Sequence, residues 1–156
     1  MNQTIYLIGQ ISSAAPESYK WRAHVRDYFS INDSWRIIDP CHNAFNRGVQ
    51  TKFTTREKVY ETAGVELIVP KDRMAVKRSS ICFANFHRYD PKKALIGTMF
   101  ELAWYADSPD KSVIGIFDGD YMSDEYCRHP FVRNAVHTWV RSEIEACKLA
   151  KRYFTD

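Results

Sequence analysis

Glu101 stands in the run Ile96-Gly97-Thr98-Met99-Phe100-Glu101-Leu102-Ala103-Trp104, a carboxylate among apolar neighbours where a solvated acid would be the exception. The Gly97-Thr98 pair reads as a helix start, so the spacing predicts a helix over 97–107 with Glu101 in its first turn. There a carboxylate faces unpaired backbone N–H groups and the positive end of the helix dipole, which keep it ionised. An ionised, poorly solvated carboxylate can attack an electrophilic carbon and form a covalent intermediate. The same spacing also suits a capping box, with Thr98 as N-cap and Glu101 at N3. Local pattern alone leaves both readings open.

Two further side chains bear on this chemistry. Tyr6 lies in the first apolar run, and its hydroxyl could orient a carboxylate. Asp72 precedes the third apolar run on a predicted helix. Taken singly, Tyr6 reads equally as a core aromatic and Asp72 as a first-turn acid favoured by the dipole. His24, His42, His87, His129 and His137 show no metal spacing, and Cys41, Cys82, Cys127 and Cys147 form no CxxC pair. No metal or organic cofactor is expected. A phospho-acceptor role is disfavoured, because no acidic pair follows the first strand and Asp39 stands alone.

The elements that must position these groups alternate. Apolar, β-branched runs predict strands at Thr4–Gly9, Trp35–Ile38, Ser80–Phe86, Ser112–Phe117 and Val136–Val140. Helical spacing from Ser18 places Trp21, Val25, Tyr28 and Phe29 on one face. Pro70 at a first helical position predicts a short helix over 70–78, and Pro130 opens a helical turn. Ser142 caps a last helix that packs through Ile144, Cys147, Leu149, Ala150 and Tyr153. Residues 41–68 are hard to read, with a helix over 53–62 as one option. Alternating strand and helix imply a parallel sheet covered on both faces, with ligands bound at the carboxyl ends of its strands. That edge would collect Gly9, Gln10, Asp39, Asn85 and the segment Gly97, Thr98, Met99 to Glu101.

Bulk properties agree with one domain spanning residues 1–156. A net charge of +3 with both signs interspersed is too weak for a nucleic-acid polymer as partner. No apolar run reaches the roughly 18 residues of a membrane span, and no signal segment opens the chain. The expectation is a soluble, cytoplasmic protein with reduced thiols.

In combination, these pieces resemble the nucleoside 2-deoxyribosyltransferase family, with its phage-type and nucleotide N-glycosidase relatives. The matching segments are Ile5-Tyr6-Leu7-Ile8-Gly9, then Asp72 to Ser80, Phe83-Ala84-Asn85, and Ile96 to Trp104. Val113 to Phe117 and His129-Pro130-Phe131 follow in the same order. The resemblance implies a flavodoxin-like α/β three-layer sandwich with a five-stranded parallel sheet. It implies Glu101 as nucleophile on the anomeric carbon, Tyr6 positioning it, and Asp72 holding or protonating the departing base. It implies Gly9, Gln10, Asp39, Asn85, Gly97, Thr98 and Met99 at the substrate, with nucleoside and free base as small-molecule partners. It further implies a homo-oligomer in which a neighbour helps close the site, with Asn134 a candidate.

The chain departs from the family pattern in two places. Ser79-Ser80 replaces an alanine-aspartate pair, and Ala94 and Leu95 stand where an acid near the sugar hydroxyls is common, Asp90 being the nearest. Ser12-Ser13 raises a different option, since hydroxyls near this place hold a 5′-phosphate in nucleotide-hydrolysing relatives. Three functions therefore stand: deoxyribosyl transfer between bases, hydrolysis of a nucleoside monophosphate, and a binding module without catalysis.

Overall fold

The computed structural model describes residues 3–12, 14–31, 34–42 and 67–155. Their elements run β1 (Gln3–Gly9), α1 (Glu17–Phe29), β2 (Trp35–Ile38), α2 (Ile68–Arg78), β3 (Ile81–Asn85) and α3 (Ile96–Ala106). Then follow β4 (Ser112–Ile116), α4 (Pro130–Ala135), β5 (Thr138–Val140) and α5 (Glu143–Phe154). The strands form one all-parallel sheet in the order β2-β1-β3-β4-β5. Strand order and helix placement are those of a flavodoxin-like fold. The optional helix over 53–62 lies outside the described residues, as does Ser13.

The sheet has two buried faces because its central strands carry almost no polar residues. On β1, Ile5 and Leu7 point to one side and Tyr6 and Ile8 to the other, all fully buried. Side-chain alternation at period two sends these sets to separate cores. Ile5 and Leu7 join Ile81, Phe83, Ile114 and Ile116 beneath α1 and α5. Tyr6 and Ile8 join Cys82, Ala84 and Val113 beneath α2, α3 and α4. Helices on both faces are what parallel crossovers require.

Several sequence expectations shift by a residue or two. The first turn of α2 begins at Ile68, so Pro70 occupies its third helical position, not its first. The stretch predicted as a fifth strand gives up Val136 and His137: the Val136 amide closes α4 by donating to Val132. On α5, Ser142 caps as expected, its hydroxyl accepting from the Glu145 amide at 3.2 Å. Cys147 and Ala150 are buried, whereas Ile144 and Tyr153 are exposed and do not pack in the core.

Candidate active site

Sheet register and helix phase together bring Tyr6 to Glu101. Tyr6 sits in mid-β1 opposite Ile38 and Cys82, facing α2 and α3. Its hydroxyl donates to Glu101 Oε1 at 2.5 Å, across 95 residues of chain. Tyr105, one turn on from Glu101 along α3, stacks parallel to the Tyr6 ring with centroids 6.5 Å apart. The buried Ser79 hydroxyl hydrogen-bonds the Tyr105 hydroxyl, so the Ser79-Ser80 departure supplies a support for the Tyr6 ring. A short hydroxyl-to-carboxyl contact of this kind fixes one oxygen of Glu101 and leaves the other for chemistry.

The helix start corrects the sequence reading of Glu101. The Met99 amide already donates to the Leu95 carbonyl at 2.9 Å, so α3 begins at Ile96 and Leu95 is its N-cap, without a capping side chain. Glu101 is therefore the sixth helical residue, in the second turn, and Thr98 is a buried helical residue that caps nothing. The capping box is excluded, and so is ionisation by first-turn amides. Instead, burial pushes the Glu101 carboxyl up from 4.5 to about 7. The Tyr6 hydrogen bond and Arg22 pull it back, while Asp72 pushes it further. Asp72 is likewise not a first-turn acid of α2, which has none. Its carboxyl is also raised, by burial first, with Lys71 and the Tyr6 hydroxyl opposing.

Tyr6 and Asp72 share a cavity of about 250 Å³ between α2 and β2, with Lys71, Arg36, Asp39 and Arg26 also in its wall. Glu101 does not line this cavity; it meets it through Tyr6. Asp39 is buried, and its carboxylate accepts from Arg26 and from the Cys41 amide at 2.8 Å, with Arg22 at 3.6 Å.

Arg22 is the group that sequence reasoning missed. It is fully buried on α1 and donates to the Leu7 and Gly9 carbonyls at 2.7 and 2.9 Å, clamping the end of β1. The sign was in the helical stripe: Arg22 stands four residues after Ser18 and three before Val25, both buried. Arg26, Arg36 and Lys71 carried no such sign, since three separate elements bring them to one cavity.

The other residues expected at the substrate divide. Asp39 lines the cavity. Gln10 is spent on structure: its amide donates to the Asp90 and Lys93 carbonyls and accepts from the Asp90 amide. Asn85 donates to the Tyr89 hydroxyl and accepts from the His87 amide. Gly9 packs against Trp21 and Asn85. Gly97 is exposed, and a Cβ there would meet nothing within 4 Å. Met99 packs against the core. The Ser12 hydroxyl, considered for phosphate, donates to Asp90 Oδ2 at 2.9 Å and accepts from Lys93 at 3.2 Å. Among the described residues no group of His, Cys, Asp or Glu could hold a metal ion.

No protein-family model and no curated protein matches this chain. A solved structure does, that of a conserved protein from Enterococcus faecalis V583, at 14% identity with a TM-score of 0.65. The alignment covers 97% of this chain and 99% of that one, which supports the fold.

Proposed function

We propose that this chain cleaves the N-glycosidic bond of a 2-deoxyribonucleoside and transfers the sugar to another base. The observation that carries the reading is the Tyr6 hydrogen bond to Glu101, with Asp72 beside the same hydroxyl. In the first step a Glu101 oxygen bonds to the anomeric carbon as the carbon–nitrogen bond breaks. The electron pair leaves with the base, and Asp72 gives that base a proton. In the second step a nitrogen of the incoming base bonds to the same carbon and the glutamyl ester breaks. Glu101 regains its carboxylate and Asp72 its proton. Burial, which raises both carboxyls, favours the protonated form of Asp72 that has a proton to give; it also keeps the Glu101 carboxylate poorly hydrated and reactive.

Two carboxyl groups with divided roles are the general solution for glycosidic bonds, because positive charge builds on the sugar and negative charge on the leaving group. The test is a panel of deoxynucleosides and their monophosphates, with and without a second free base. A new nucleoside formed only when the second base is present supports transfer. Free base and free sugar regardless of acceptor would replace transfer by hydrolysis. No product with the wild type would leave a binding role.

A further inference from the structure

We propose that the cavity between α2 and β2 receives the leaving heterocycle and selects bases that present oxo groups over bases that present amino groups. This rests on the N-glycosidic reading only for which end of the substrate the cavity takes. Asp72, assigned to the base, lines it, and Glu101, assigned to the sugar, does not.

The donor and acceptor inventory of the wall decides the preference. The Asp39 carboxylate is consumed by Arg26, Arg22 and the Cys41 amide. Asp72 pairs with Lys71 at 3.6 Å. Arg36 has no ion pair among the described residues and stands on the cavity face of β2, in register with Thr4 beside the Tyr6–Ile38 pair. Four cations, Arg22, Arg26, Arg36 and Lys71, thus face two carboxylates in and behind the wall. Guanidinium and ammonium groups donate hydrogen bonds and accept none. An oxo group meets them as an acceptor, and negative charge growing on the departing ring is stabilised there. An exocyclic amino group would set donor against donor.

His42 also lines the wall, and Ile37, Ile38, Pro40 and Ala75 give it an apolar part, which suits the flat face of a ring better than a bare phosphate.

Deoxyinosine and deoxyadenosine share one purine skeleton and differ at C6, oxo against amino, and with it at N1, which carries a proton in the first and none in the second. The expected result is a kcat/KM higher for deoxyinosine by about tenfold or more, the scale of one hydrogen bond to a charged group. Arg36→Ala, with its fold checked by circular dichroism, should reduce that preference by about tenfold, and Arg36→Lys should keep part of it. An equal or reversed preference in the wild type, or a preference that Arg36→Ala leaves intact, overturns the proposal.

If neither nucleoside is cleaved, the N-glycosidic reading has failed and the cavity is judged by calorimetry with free hypoxanthine and adenine. Hypoxanthine binding that weakens in Arg36→Ala, with adenine weaker in the wild type, upholds it. Equal binding, or none, sinks it. Displacement of hypoxanthine by inorganic phosphate through Arg36 would also overturn it, by making the cavity a phosphate site.

Discussion

Glu101 concentrates a conflict between stability and chemistry in one carboxyl. Its ordinary value is 4.5 and burial raises it to about 7. Below pH 4.5 the group is protonated whether the chain is folded or not, so burial costs little there. Stability falls as pH rises from there to about 7, where the carboxylate must be held in the interior, a loss on the order of 3 kcal/mol. Glu101→Gln keeps an oxygen for the Tyr6 hydroxyl and removes the charge. The expected outcome is a variant without turnover that melts higher than wild type at pH 8 and no higher at pH 4, read by thermal denaturation. Retention of more than about a tenth of the rate would remove Glu101 from the nucleophile's role. The neighbours move the acid limb of the rate profile in opposite directions. Tyr6→Phe deletes the hydrogen bond that lowers the Glu101 carboxyl, so its limb moves to higher pH. Asp72→Asn deletes a charge that raises it, so its limb moves to lower pH. With Asp72→Asn, substrates with poor leaving-group bases should suffer most, and an activated glycoside that needs no proton should be spared. Shifts of the same sign in both variants would show that neither residue acts on Glu101 electrostatically.

At the scale of elements, the central strands tolerate no added bulk. A Cβ on Gly115 would lie 2.6 Å from the Trp139 ring, which also stacks on Tyr121 and packs on Phe86. Gly115→Ala should therefore cost about 1–3 kcal/mol by overpacking and displace the Trp139 emission, measured by urea denaturation and fluorescence. An unchanged midpoint would mean that β5 slides freely against β4. These elements were legible in the sequence to different degrees, for physical reasons. The bounds of β2 are those read from the chain, because Asp39-Pro40 ends the strand abruptly. The start of α3 misled, because Gly97-Thr98 resembles a helix start while the first helical hydrogen bond reaches back to Leu95, whose side chain offers no cap. One extra turn then separates Glu101 from the dipole that the sequence assigned to it. The Tyr6–Glu101 contact could be expected from resemblance alone, since a separation of 95 positions hides it from any local pattern. The cation-lined cavity was hidden in the same way, and Arg22 only because an arginine on an apolar stripe is easily discounted.

Across the whole molecule, two cores share one sheet and each rests on it. Trp21 and Trp35 lie on one side, Trp104 and Trp139 on the other. Loss of either core exposes β1, β3 and β4, so tryptophan fluorescence and far-ultraviolet dichroism should report one coincident transition. Separate transitions would show that the two faces melt independently. The interior also contains all four cysteine thiols, none in a disulfide. Burial pushes each thiol upward, Cys41 and Cys147 to about 12 and Cys82 and Cys127 well above their ordinary value. A thiol-specific disulfide reagent can then react only through transient openings, so its rate becomes a clock for local unfolding. Cys41 adjoins Asp39 at the cavity, and Cys147 lies on the far face beneath α5. A molecule bound in the cavity should slow modification of Cys41 while leaving Cys147 nearly unchanged, giving the chain a built-in occupancy gauge that needs no turnover.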